Sequence, residues 1–161
     1  MHTNSKLLFE KYAIDYFKED SSVLEIGPDK IPSTYKKMVF RTKSWDTLDI
    51  YSRDGLTYLE KDNYNFEIQD NQYDIVLSGQ VIEHVPYVWY WVKELARITN
   101  NLLIIIGPIS WKYHKAPVDC WRIYPDGMIA LYDYAGVNVI TSKWESLDRK
   151  QSDVITIGRK R

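Results

Sequence analysis

Residues 73–85 read YDIVLSGQVIEHV. The run Tyr73–Leu77 is mostly apolar, as in a strand covered on both faces of a sheet. Ser78, Gly79 and Gln80 turn the chain. A helix is expected from about Pro86 to Thr99, with Pro86 in its first turn and Asn100 and Asn101 ending it. The same punctuation recurs outward in both directions. Upstream, VLEIGPDKIPSTY (23–35) holds a short apolar strand, Val23–Ile26, that ends on Gly27. TLDI (47–50) closes a strand over Ser44–Ile50 with Asp49 near its end. Downstream, LLIIIGP (102–108) gives the most apolar strand, Leu102–Ile106, which Gly107 and Pro108 are expected to stop.

The remaining elements fit around these. Ser5–Phe17 has apolar residues at helical spacing, and Ser33–Val39 reads as a short helix. Leu56–Leu59 is a weak third strand followed by Glu60 and Asp62, and NYNFEIQDNQ (63–72) reads as a polar loop. Asp126 is placed as the N-cap of a helix to Ala135, with Gly136 in the C′ position. Val137–Thr141 and Asp153–Ile157 close the pattern as strands. Strand, turn and helix in alternation imply βα units. The expected fold is α/β: a Rossmann-like, mostly parallel sheet of about seven strands flanked by helices, with residues 1–161 forming one domain. Right-handed crossovers bring the C-terminal ends of the strands to one edge, where open α/β sheets bind ligands. Gly27, Asp49, Asp62, Ser78, Gln80 and His84 all fall at that edge.

Composition narrows the function classes. The chain of 161 residues is 45% hydrophobic and 27% charged, with a net charge of −1. That balance gives no reason to expect a nucleic-acid or membrane partner. One cysteine, Cys120, precludes an intramolecular disulfide and suits a reducing compartment. No apolar run is long enough to span a bilayer, and MHTNSKLLFEKY lacks the apolar core of a signal peptide. The expectation is a cytoplasmic protein. Its 13 Tyr and 6 Trp pair an apolar face with a hydrogen-bonding tip, which serves pockets, interfaces and cores alike.

Individual candidates follow from the chemistry of the strand ends. A carboxylate closing the second strand can accept hydrogen bonds from both hydroxyls of a ribose. Asp49 is so placed, though the same position suits a turn or an N-cap. Asp62 could accept from an adenine amino group, or stand as a solvated loop acid. Gly27 would let a ligand approach the backbone closely. The order of these features along one edge carries more than any of them alone.

That order, from VLEIGP through TLDI and YDIVLSGQVIEHV to LLIIIGP, resembles the class I methyltransferases that use S-adenosylmethionine, over residues 21–107. HKAPVDCWRIYPDGMIALYDYAG (114–136) is more loosely similar to small bacterial methyltransferases linked with sugar or surface-glycan pathways. The resemblance implies S-adenosylmethionine as cofactor. It implies Glu25 and Gly27 beside the methionine part, Asp49 on the ribose, Asp62 on the adenine, and Ser78 with Gln80 lining the pocket. No metal is required. The sequence departs from the family in its first loop, where Pro28, Asp29 and Lys30 replace further glycines. The connections 50–56 and 63–72 are too short for the usual helices, so the fold is a trimmed one.

The implied reaction is methyl transfer to a small-molecule acceptor, an O- or N-methylation, with sugar- or glycan-related metabolites as one acceptor class. His84 and His114 are the candidate bases, since histidine titrates near neutral pH. His114 sits in a long polar, aromatic segment with Asp119, Arg122 and Tyr124. That segment suits an acceptor site, a packed surface loop or a homodimer contact. The alternative is a methyltransferase-like subunit without turnover, which the glycine-poor loop favours. A dehydrogenase is disfavoured because no GxGxxG follows the first strand.

Overall fold

The computed structural model describes residues 3–148 and 151–161. One sheet of seven strands organises them: β1 (Ser22–Ile26), β2 (Ser44–Asp49), β3 (Tyr58–Leu59), β4 (Tyr73–Gly79), β5 (Thr99–Ser110), β6 (Val137–Asp148) and β7 (Gln151–Lys160). Their order is β3-β2-β1-β4-β5-β7-β6. β1 to β5 run parallel, and β7 returns antiparallel between β5 and β6. The helices are α1 (Thr3–Tyr12), α2 (Thr34–Met38), α3 (Val88–Ile98) and α4 (Pro125–Tyr134).

Each face of the sheet carries its own core. Leu24, Ile26, Val76, Leu103 and Ile105 pack against α3 and α4 through Trp91, Val92, Leu95, Met128 and Tyr132. Val23, Ile75, Leu77, Ile104 and Ile106 pack against Leu8, Phe9 and Tyr35 of α1 and α2. The apolar runs of β1, β4 and β5 thus reflect burial on both faces, as parallel strands require.

Several local expectations are corrected. β5 does not stop at Gly107 but continues to Ser110, with Pro108 opposite Asp153 of β7. Its partner on the other side, β4, ends where Gly79 pairs with Ile106. Beyond that point β5 has one neighbour only, and a proline without an N–H is tolerated there. Asp126 lies inside the first turn of α4 rather than capping it. Pro125 takes the first helical position, after Tyr124. Pro86 lies before α3, whose N-cap is Tyr87. The two closing strands are longer than expected and pair with each other as a hairpin.

The trimmed connections are as expected: 50–57 and 60–72 contain no helix. The second is not merely a polar loop, however. Phe66 and Ile68 are buried in the core. Arg97 of α3 donates to the carbonyls of Ile68 and Phe66 at 2.8 and 3.2 Å, and the Phe66 N–H donates to Glu94 at 2.7 Å. Two apolar plugs and one Glu94–Arg97 pair do the work of a missing helix.

Candidate functional site

A cavity of about 410 Å³ opens at the C-terminal ends of β1, β2 and β4. It lies where β1 has β2 on one side and β4 on the other, the point at which strand order reverses. Gly27, Asp49, Gln80 and His84 line it, together with Arg53, Tyr64, Val81 and Pro117. A hollow of about 480 Å³ near Tyr90, Lys93 and Arg97 shares only Tyr64 with this cavity and holds none of the candidate residues of the sequence.

Gly27 has a φ of +67°, and a Cβ there would fall 2.3 Å from Val81 Cγ2. Both the backbone conformation and the close approach require glycine. Asp49 ends β2 with its side chain 9% exposed. Its Oδ1 accepts from the Tyr51 N–H at 3.0 Å, and its Oδ2 pairs with Arg53 at 2.6 Å. Arg53 also donates to the Pro28 carbonyl at 2.6 Å, so it ties the first loop to the end of β2. Neither Arg53 nor Val81 stood out in the sequence. Only the four-residue spacing from Asp49 hinted at Arg53.

Gln80 turns the chain at φ +62°. Its amide nitrogen donates to Ser5 at 2.7 Å and to Asp153 at 3.0 Å. Its Oε1 is buried without a hydrogen-bond partner among the described residues. Four residues singled out in the sequence stand outside the lining, His114 among them. Ser78 donates to the Ile26 carbonyl at 3.4 Å. Asp62 is exposed and accepts from the Tyr64 N–H at 2.8 Å. Glu25 is buried and accepts from Ser33 and, at 2.9 Å, from Trp45 Nε1. Burial pushes the Glu25 carboxyl up to about 7, against the pull of those two donors.

The opposite wall comes from the turn after β4 and the segment before α4. His84 and His114 meet there, ring centroids 4.9 Å apart and perpendicular. His84 Nδ1 lies 2.6 Å from the Val118 carbonyl and so carries the proton, which leaves Nε2 as an acceptor. Burial holds the His84 pKa below its ordinary value, which keeps the ring neutral. Nε2 faces Glu83 Oε1 at 3.6 Å. Glu83 is buried, and burial pushes its carboxyl up to about 7. Asp119 organises the segment: it accepts from the His114 N–H at 2.7 Å and from both arms of Arg122 at 2.5 and 2.8 Å. Arg122 holds its carboxyl well below the usual range. Beside this wall, Trp89 and Trp121 approach at 6.4 Å and Tyr64 and Tyr87 at 5.8 Å.

Residues 32–102 match the methyltransferase-domain family. No curated protein sequence matches the chain. Among solved structures, the YcgJ protein from Bacillus subtilis aligns over 100% of this chain and 99% of its own, with TM-score 0.72 and 10% identity. A SAM-dependent methyltransferase from Aquifex aeolicus aligns over 97% and 89%, with TM-score 0.68 and 15% identity. A third, from Methanosarcina mazei, covers 91% and 95% at TM-score 0.66 and 11% identity. At such identities these likenesses concern the fold.

The wall residues fit the cofactor. The volume lies in the range of small-molecule sites, about 300–1,000 Å³. Gly27 offers backbone without a Cβ. The Asp49 carboxylate keeps lone pairs beyond its two bonds, and the buried Gln80 Oε1 lacks a donor. The family match over residues 32–102, the fold and the cavity together support a class I methyltransferase with S-adenosylmethionine as its cofactor.

Proposed function

We propose that residues 1–161 form one domain that methylates an oxygen or nitrogen of a small molecule, presented at the His84–His114 wall. The observation that carries this reading is the cavity's two-sided build. A glycine and a strand-end carboxylate form one wall, and the neutral His84, backed by His114, stands on the other. Asp49 would hold the ribose, Gly27 and Gln80 would flank the methionine part, and the 62–64 segment would cover the adenine. Glu25 and Ser78 would brace that wall from behind, through Trp45 and the Ile26 carbonyl.

S-adenosylmethionine, when bound, supplies a sulfonium methyl: a new bond to the acceptor forms as the carbon–sulfur bond breaks, and its electron pair stays on sulfur. The chain's own residues orient the acceptor, exclude water and take its proton. His84 Nε2 has the free lone pair that a base needs, and His114 stands beside it. The aromatic pairs Trp89–Trp121 and Tyr64–Tyr87 offer flat faces on which a sugar or planar ring can stack. Sugar- and glycan-related metabolites are therefore the first acceptors to try. The single exposed cysteine, Cys120, suits a cytoplasmic setting. Exposed Trp89 and Tyr90 leave a homodimer contact as the partner reading for that face.

The test is calorimetric titration with S-adenosylmethionine and S-adenosylhomocysteine, followed by an acceptor screen. Micromolar binding, about −8 kcal/mol, that Asp49→Ala removes supports the reading. A second reading, a subunit without turnover, draws on Arg53, which already occupies Asp49. Absence of binding at millimolar ligand favours that one.

A further inference from the structure

The His84 corner poses a problem that the methyl-transfer reading leaves unsolved. His84 Nδ1 donates to the Val118 carbonyl, so its Nε2 is an acceptor. That acceptor faces Glu83 Oε1, a second acceptor, at 3.6 Å, too far for a proton to be shared in a good hydrogen bond. Glu83 Oε2 is buried with no partner among the described residues. His114 brings a third donor atom: one nitrogen from each histidine and one Glu83 oxygen all lie within 4.8 Å of one another. Three lone-pair groups converge, and one of them is a buried carboxylate with an unpartnered oxygen.

We propose that Glu83, His84 and His114 form a binding site for a divalent transition-metal ion beside the cofactor cavity, which it adjoins through His84. Two imidazoles and one carboxylate suit zinc, iron(II) or cobalt(II), and leave coordination positions open. Ligands about 2.1 Å from a tetrahedral ion stand about 3.4 Å apart, close to the Glu83–His84 spacing. The three atoms lie within 4.8 Å of one another, so His114 closes the site by moving inward by up to about 1.4 Å. It can do so because it sits half-buried on an irregular segment rather than on a strand or helix.

The surroundings have the form that metal-bound histidines require, with the second ring nitrogen donating to a fixed acceptor. For His84 that acceptor is the Val118 carbonyl. For His114, Nδ1 lies 3.2 Å from the Lys112 carbonyl and 3.5 Å from Asp119, which Arg122 holds in place. The open positions adjoin the cavity through His84. An acceptor hydroxyl placed there would be polarised by the ion and lose its proton more readily, and the ion would then replace the His84 Nε2 lone pair as the activating group. Only that last step rests on the methyl-transfer reading.

Metal binding is tested on the tag-free chain, stripped with a chelator, by titration with Zn²⁺ in a calorimeter and with Co²⁺ by visible absorption. The expected result is one ion per chain, with d–d bands of a four- or five-coordinate Co²⁺. His114→Ala and His84→Ala should each weaken binding at least about 100-fold, and Asp119→Asn about 10-fold. Thermal unfolding of the metal-free variants separates loss of a ligand from loss of fold, and the part-exposed His114 is the safer of the two. The only other histidine is His2. No cobalt band, binding that survives both histidine variants, or binding that follows His2→Ala or Cys120→Ser would overturn the proposal. The S-adenosylhomocysteine titration is run separately. Its failure removes the methyl-transfer reading and leaves the metal result standing, and the reverse holds as well.

Discussion

The two walls of the cavity are built in different ways. One consists of strand ends: Gly27 follows β1, Asp49 closes β2, and the first loop is tied across by Arg53. Its geometry is fixed by a sheet whose two faces are both packed. The other wall is the turn after β4 and the segment 111–124, which lacks regular structure. Side chains and one backbone bond fix it instead: Asp119 and Arg122 hold the chain, Trp121 Nε1 donates to the Val85 carbonyl at 2.9 Å, and the Cys120 backbone N–H donates to the Glu83 carbonyl at 2.7 Å. A sheet-built wall can hold a constant cofactor, whereas a wall of loop and aromatic side chains can be altered for a new acceptor without disturbing the core. This difference makes the two walls separable by mutation.

The largest effect is expected at Gly27. Gly27→Ala adds left-handed backbone strain and a clash with Val81. A loss of about 3 kcal/mol is expected in urea unfolding, together with loss of S-adenosylhomocysteine binding. Asp49→Ala attacks the same wall without disturbing its backbone. Calorimetry should record binding weakened at least about 100-fold, or about 2.7 kcal/mol, with about 1–2 kcal/mol lost in urea unfolding because the Tyr51 and Arg53 bonds go with the carboxylate.

Glu25, behind that wall, tests its burial. Its carboxyl titrates at about 7 in the folded chain against about 4.5 unfolded, so the folded state holds the proton longer. The stabilisation is complete below pH 4.5 and is lost as pH rises through 7. Between pH 5 and 8 the unfolding free energy of Glu25→Gln should fall by about 2–3 kcal/mol less than that of the parent. An identical pH profile would refute the assignment. The smallest effect belongs to the loop wall. Arg122→Ala should cost about 1–2 kcal/mol, because the ion pair is only partly buried. Faster amide exchange should be confined to 111–124, and S-adenosylhomocysteine affinity should change less than about threefold. A larger affinity change would mean that the walls are coupled.

How far each wall was legible in the sequence follows from the same contrast. β1, β2 and β4 announce themselves as apolar runs because burial on two faces leaves no polar alternation, and Gly27 and Asp49 stand where those runs end. The extension of β5 through Gly107 and Pro108 was hidden, because it depends on a partner, β7, about 45 residues downstream. Phe66 and Ile68 read as parts of a polar stretch because their burial comes from Arg97 and Glu94 of α3, not from local pattern. His84 and His114 could each be named as sequence candidates. Their meeting could not be read, since it is made by a hydrogen bond to Val118 and an ion pair at Asp119.

Behind Gln80, three parts of the chain are joined. Gln80 binds Ser5, 75 positions before it, and Asp153, 73 positions after it, while Ser5 and Asp153 meet across 148 positions. Contacts at such separations form late, because the entropy of closing the loop must first be overcome. The back of the cavity is therefore completed at the end of folding. During synthesis, a chain whose sheet has begun to assemble still lacks the Asp153 side of this brace until Asp153 has left the ribosome.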